Sequence, residues 1–268
     1  MSFLDQILTA KREEIAAARA LKPQAEVEAL AAKREDFRGF AAALARPGVR
    51  VIAEIKRASP SRGDLRPDLH PGDLAAAYQA GGAAALSVLT EPAFFKGSAK
   101  DLQRARNVVE LPVLRKDFIL DPYQVYETAA MGADAMLLIV RILDDDQLAS
   151  LLALARGVGL ETLVEIHDEA DAKRIAALAP PLVGINNRDL ARFDTDPARA
   201  ARVAALLPRG TAAVAASGIH SAADIQRAIA AGLRRFLVGE TLVNAPDPTS
   251  LLKEWTALPV PLILNSEP

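Results

Sequence analysis

The sequence predicts an α/β protein, a (β/α)8 TIM barrel with additional N-terminal helices, and three observations carry that prediction. Eight short apolar runs recur along the chain, each parted from the next by a stretch long enough for a helix. Strand and helix in alternation imply a parallel sheet with right-handed crossovers, and eight units favour closure over an open, doubly wound sheet. The length, 268 residues, suits one such barrel, and no G-x-G-x-x-G follows the first strand as a dinucleotide-binding sheet would require.

Taken in order, the chain opens with MSFLDQILTAKREEIAAARA, where apolar residues at 3, 4, 7, 8 and 15 are interleaved with charges, the pattern of an amphipathic helix. The charges interrupt any apolar core, so it does not read as a signal peptide. Residues 1–47 read as a helical extension of a single domain spanning 1–268. The strands follow as VIAEI (51–55), AALSVL (84–89), PVLR (112–115), AMLLIV (135–140), TLVEI (162–166), LVGI (182–185), AAVAA (212–216) and RFLVG (235–239). Four of these come after a glycine in AGGAAALSV, MGADAMLLI, GVGLETLVE and AGLRRFLVG, as expected where a left-handed residue closes the preceding helix. Helix starts are marked by Asp121-Pro122 with Gln124, Asp144 with Gln147, Asp168 with Asp171 and Ser221 with Asp224, each a capping side chain with a polar partner three residues on. Asp196-Pro197 and Asp247-Pro248 add two cap-plus-proline starts. The alanine-rich stretch 200–206 reads as helix filler.

Composition narrows the function classes. The chain is 51% hydrophobic and 25% charged with a formal net charge of −2, which gives no electrostatic reason to expect nucleic acid or an acidic membrane as a partner. No window approaches 18 apolar residues in a row, so no membrane span is expected. The absence of cysteine excludes disulfides, thiol catalysis and cysteine-ligated metals, and suits a reducing, cytoplasmic location. His70, His167 and His220 lack metal-ligand spacing, and the acidic run Asp144–Asp146 reads as helix capping, so no metal is expected. For assembly the expectation is a monomer.

The first strand poses the functional question, because VRVIAEIKRASPSRG places Glu54 and Lys56 on one face of an otherwise apolar run. A strand of a parallel barrel is buried on both faces, and sites in such barrels lie at the carboxyl ends of the strands. Polar residues at those ends include Glu54, Lys56 and Ser59 after the first strand, Thr90 and Glu91 after the second, Lys116 after the third and Glu165 in the fifth. Asn186 and Arg188 follow the sixth, Ser217-Gly218 the seventh and Gly239-Glu240 the eighth. Two lysines and two glutamates thus converge on one mouth. As a purely structural plug they would be inefficient, since burying ions costs several kcal/mol each and apolar replacements are often as stable. The glycines after the last two strands fit a phosphate held by backbone N–H groups, the Glu240 amide rather than its carboxylate facing the ligand, although two tight turns explain them equally. Phe94, Phe95 and Phe118 favour a flat or aromatic substrate, with core or lid packing the alternative. The residues alone reach a phosphorylated small molecule handled by lysine and glutamate, and leave two chemistries open: Schiff-base formation by Lys116 or Lys56, as in an aldolase, or proton transfer by a lysinium and a glutamate.

The segments AEIKRASPSRG, SVLTEPAFFKGS, PVLRKDFILDPYQV, LVEIHDE, GINNRDL, ASGI and FLVGE closely resemble indole-3-glycerol-phosphate synthases, in order and interval, from about residue 3 to 256. The resemblance implies closure of an indole ring from 1-(2-carboxyphenylamino)-1-deoxyribulose 5-phosphate with loss of carbon dioxide and water, in tryptophan biosynthesis and without a cofactor. It implies Lys116 as general acid, Lys56 as partner of the substrate carboxylate and acid in the dehydration, and Glu165 as general base, with Glu54 and Asn186 orienting them. Arg188 would contact the intermediate. Ser59, Ser217, Gly218, Gly239 and the Glu240 amide would hold the phosphate, and Phe95 and Phe118 would line the anthranilate pocket. One departure stands out: where the family usually has glutamate before Ser-Gly, this chain has Ala216. A Schiff-base aldolase, or a paralogue that binds sugar phosphate without catalysis, are the alternatives on the same barrel.

Overall fold

The computed structural model describes residues 3–60, 62–188, 196 and 198–261. Eight strands, β1 (Arg50–Ile55), β2 (Ala85–Leu89), β3 (Val113–Lys116), β4 (Ala135–Ile139), β5 (Glu161–Ile166), β6 (Leu182–Asn186), β7 (Ala212–Ala216) and β8 (Arg235–Val238), close into a barrel in the order β1-β8-β7-β6-β5-β4-β3-β2. Every pairing around the ring is parallel. Each of the eight apolar runs is a strand, displaced by no more than one residue at either end. Three helices precede the barrel: α1 (Phe3–Leu21), α2 (Gln24–Ala31) and α3 (Phe40–Ala45). After the successive strands come α4 (Pro71–Ala80), α5 (Ala99–Arg106), α6 (Pro122–Ala130), α7 (Asp145–Gly157), α8 (Glu169–Ile175), α9 (Arg199–Ala204) and α10 (Ala222–Ala230), then α11 (Glu240–Asn244) and α12 (Pro248–Thr256) after β8. A two-stranded hairpin, Ala58–Ser59 against Gly63–Asp64, stands between β1 and α4.

The period-two alternation of strand side chains divides the core in two. Val51, Ala53 and Ile55 of β1, with Leu86, Val88, Val164, Val183 and Phe236, face outward into the large cluster shared with the helices. Ile52, Leu114, Leu163 and Val214, one from each odd-numbered strand, face inward and fill the barrel, as the layered interior of this fold demands. Two residues on, the same inward faces carry Glu54, Lys116, Glu165 and Ala216. The barrel is apolar in its middle and charged at its carboxyl end.

The helix signals act as expected. Asp144 with Gln147 and Ser221 with Asp224 form reciprocal capping boxes, and Asp121, Asp168 and Asp247 each accept from backbone amides of the first turn. Gly82, Gly132, Gly159 and Gly232 take φ of +87°, +100°, +83° and +91° just past their helices. One start differs. Asp196 accepts from the Ala198 amide at 3.0 Å, but α9 begins at Arg199 behind Ala198, so Asp196 closes a turn before the helix, and Pro197 lies outside the described residues. Among the described residues no helix is long and apolar enough to cross a membrane.

Candidate active site

The thirteen residues to which the resemblance gives a role line one cleft at the carboxyl end of the barrel: Glu54, Lys56, Ser59, Phe95, Lys116, Phe118, Glu165, Asn186, Arg188, Ser217, Gly218, Gly239 and Glu240, whereas Thr90, Glu91 and Phe94 are not part of its lining. The four charges meet there as two ion pairs. Lys56 Nζ lies 2.7 Å from Glu54 Oε1, and Lys116 Nζ lies 3.5 Å from Glu165 Oε2. Gly239 has a role beyond a tight turn. A Cβ at this position would sit 2.3 Å from Glu54 Oε1 and 3.1 Å from Lys56 Nζ, so the missing side chain is the space the first pair occupies.

The second pair is electrostatically poised. Burial works against the Lys116 ammonium, but the carboxylates of Glu165 and Glu54 outweigh it and hold its pKa above the ordinary lysine value of 10.5. Burial likewise opposes the Glu165 carboxylate, yet Lys116, His167 and the Asn186 amide bring its pKa below the usual 4.5. Asn186 Nδ2 donates to Glu165 Oε1 at 3.2 Å, and its own Oδ1 accepts from the Arg188 amide at 3.0 Å. His167, which the sequence presents as a bystander beside a helix cap, is fully buried with its ring 3.7 Å from both Glu165 and Asp171.

Opposite this wall the cleft is built from turns. Ser217 and Gly218 take φ of +67° and +77°, a left-handed pair that is costly for serine. Asn187 ties it down: Nδ2 donates to the Ser217 carbonyl at 3.0 Å while Oδ1 accepts from the Ala200 amide. The Ser59 hydroxyl is buried on the cleft wall with no hydrogen-bond partner among the described residues, an orphan that a polar ligand would satisfy. The Glu240 carboxylate is occupied by two arginines, Arg62 Nε at 3.1 Å and Arg188 Nη2 at 3.8 Å, so its charge is neutralised where an anion would otherwise be repelled.

The remaining side is apolar. Phe95 and Phe118 face each other with centroids 6.2 Å apart. Phe95 is presented by a buried acid, since the Glu91 carboxylate accepts from the amides of Ala93, Phe94 and Phe95 at 3.0, 2.7 and 3.0 Å and folds the loop around itself. Phe3, Leu4 and Ile7 of α1 complete the lining, with Phe3 packed edge-on against Phe94 at 5.3 Å. The amphipathic pattern announces α1 but not its destination. Arg141, at the end of β4, turns away from the cleft to Asp168 and Asp171.

The sequence has close relatives. The profile of the family described as indole-3-glycerol phosphate synthase matches residues 4–255. The chain is 54% identical over 256 residues to the indole-3-glycerol phosphate synthase of Desulfosudis oleivorans, covering 94% of this chain and 97% of that protein. Proteins of the same name from Albidiferax ferrireducens and Aromatoleum aromaticum are 48% and 47% identical, covering 95% and 92% of this chain and 98% and 95% of theirs. Among solved structures, orotidine 5'-phosphate decarboxylase from Pyrococcus horikoshii OT3 superposes with a TM-score of 0.58 at 13% identity, over 77% of this chain and 97% of that one, which speaks to the barrel alone. With nearly its whole length matched, the chain belongs to the indole-3-glycerol phosphate synthase family.

Proposed function

We propose that this cleft converts 1-(2-carboxyphenylamino)-1-deoxyribulose 5-phosphate into indole-3-glycerol phosphate, the carboxy-lyase step of tryptophan biosynthesis, with its two lysine–glutamate pairs supplying the proton transfers. Family membership fixes the activity; the Lys116–Glu165 pair is the observation that carries the assignment of roles. Ring closure joins the carboxylate-bearing aromatic carbon to the ketone carbon, and the ketone oxygen gathers negative charge as the bond forms. A fixed cation beside that oxygen lowers the barrier, and in this reading Lys116 gives it a proton. Loss of carbon dioxide restores aromaticity. Glu165 then takes a proton from the ring intermediate while Lys56, earlier the partner of the substrate carboxylate, protonates the departing hydroxyl. Glu54 and Asn186 hold these groups in place, and Arg188 steadies the intermediate.

Phe95 and Phe118 take the anthranilate ring in this scheme, and the phosphate lies against Ser59, Ser217, Gly218, Gly239 and the Glu240 amide, at the far end of the cleft. Ala216 leaves the inward position of β7 without the carboxylate usual in the family, but neither ion pair includes it. One well-placed acid or base is worth about 10²–10⁴ in rate. Lys116→Ala is therefore expected to lower kcat by at least about 10², read from indole fluorescence on the purified enzyme; near-normal turnover would overturn the assignment. Borohydride in the presence of substrate is expected to trap no covalent adduct, whereas a trapped lysine adduct would favour Schiff-base chemistry. We further read the chain as a cytoplasmic monomer in which residues 1–47 extend a single barrel domain, and a sedimenting species of 28.5 kDa checks the assembly.

A further inference from the structure

The N-terminal helix carries a lysine where its packed stripe calls for an apolar residue. Phe3, Ile7, Lys11 and Ile15 recur every four residues along one face of α1, and Ile7, Lys11 and Ile15 are all buried. Lys11 is 1% exposed. Its Nζ lies 2.8 Å from Asp117 Oδ1 and 2.6 Å from Glu14 Oε2. Asp117 is as deeply buried, at 2%, and gathers the end of β3 around its carboxylate. Oδ1 also accepts from the Phe118 amide at 2.8 Å, and Oδ2 accepts from the Thr90 hydroxyl and from Arg115 Nη2 at 3.1 Å. Burial opposes that carboxylate, but Arg115, Lys11 and the hydrogen bonds outweigh it and keep the carboxyl below the usual aspartate range.

A leucine or methionine at position 11 would fill the stripe without the desolvation cost of an ammonium, and buried ion pairs seldom improve on apolar packing for stability alone. What the pair adds is register. Asp117 lies between Lys116 and Phe118, both on the cleft wall, while Phe3, Leu4 and Ile7 lie one to two turns before Lys11 and line the same cleft. This contact ties the apolar roof to the strand end that bears the ammonium, while Arg19 with Asp121 and the Tyr123 hydroxyl on the Ala18 carbonyl hold the far end of α1.

We propose that Lys11 is a positioning residue for the ring-closing reaction: through Asp117 it sets α1 over the aromatic end of the cleft and holds Lys116 against the substrate ketone. The proposal rests on Lys116 being the acid of that reaction. Misplacing a reacting group by an ångström costs up to about 10² in rate. Lys11→Met, which keeps the length and the packing, is therefore expected to lower kcat/KM by about 10- to 10²-fold at room temperature, with KM raised as the ring end loosens and kcat reduced as Lys116 drifts. Lys11→Arg, which restores the cation, is expected to recover most of both. A plain structural staple would instead lower the melting temperature and leave kcat and KM of the folded fraction untouched; values within twofold of the parent in a folded Lys11→Met enzyme overturn the proposal. If that variant does not fold, Asp117→Asn, which keeps the shape of the side chain but weakens the contact from the other side, is expected to show the same joint change in kcat and KM, and unchanged constants there overturn it equally. The underlying assignment fails on a different result, namely Lys116→Ala remaining active, whatever the Lys11 variants do.

Discussion

At the scale of single residues, the cleft is explained by what each side chain displaces as much as by what it contacts. Gly239 shows this best. Its φ of −119° is open to any residue, so alanine there suffers no backbone strain, yet the added Cβ would stand 2.3 Å from Glu54 Oε1. Glu54 would have to swing away, and Lys56, 2.7 Å from it, would lose its partner. Gly239→Ala is therefore expected to keep the fold and to melt within a few degrees of the parent, while kcat/KM falls by about 10², the cost of an orienting group moved by an ångström. A parallel measurement of melting temperature and turnover checks it; equal loss in both would mean that the glycine serves the barrel and not the ion pair. Glu91 makes the complementary case. Its carboxylate receives three amides from the loop that presents Phe95, and Glu91→Gln turns one acceptor into a donor aimed at those amides. The buried mismatch costs about 1–3 kcal/mol, and the loop is expected to reopen, raising KM several-fold with little change in kcat. A KM unchanged in this variant would mean that Phe95 does not hold substrate.

At the scale of elements, the parts that are legible in the sequence are the ones encoded locally. The strands β1 to β8 show as short apolar runs because both faces are buried, and the capping side chains Asp144, Ser221 and Asp247 show because a helix must satisfy its first amides within four residues. Asp144→Ala at the start of α7 is expected to cost about 1 kcal/mol, seen as a lowered melting temperature with kcat intact, since α7 lies on the outer layer. Much of the site is legible for a related reason: a charged residue inside an apolar strand, such as Glu54 or Glu165, violates the local pattern and so advertises a use. What is not legible is the set of supports whose meaning depends on a distant partner. Lys11 interrupts the stripe of α1 and could have been noticed as an intrusion, but its partner Asp117 is more than a hundred positions away. His167 looks like a residue beside a cap until β5 is seen to aim it at Glu165. Asn187 carries no signal at all without the left-handed Ser217 that it restrains. Asp196-Pro197 misleads by the same logic in reverse, because a local signature fits a turn as well as a helix start.

At the scale of the whole molecule, proton linkage ties the stability of the barrel to the state of its charged mouth. The folded pKa of Glu165 lies below its ordinary 4.5, so the unfolded chain binds the proton more readily. Its contribution to stability is present above 4.5 and is lost as the pH falls through the folded value. Lys116 runs the other way: its folded pKa lies above 10.5, its contribution is complete below that value, and it disappears as the pH rises through the folded one. Between these limits the pair is fully ionised, which is the state needed by a lysinium acid and a carboxylate base. The single tryptophan, Trp255, is a fully buried residue of α12 and reports unfolding without added label. Denaturant midpoints followed by its fluorescence are expected to hide the Glu165 and Lys116 contributions across the neutral range and to reveal them only at the two extremes. Catalysis is expected to follow the same window. The kcat/KM profile is flat from neutrality to about pH 9, with any limb near 6 belonging to the second ionisation of the substrate phosphate. A lysine acting as a nucleophile must instead be neutral to attack, and its rate would climb with each unit of pH below the raised pKa. A profile that rises steadily through pH 7 to 9 is thus incompatible with Lys116 as proton donor, and a flat one is incompatible with Lys116 as nucleophile.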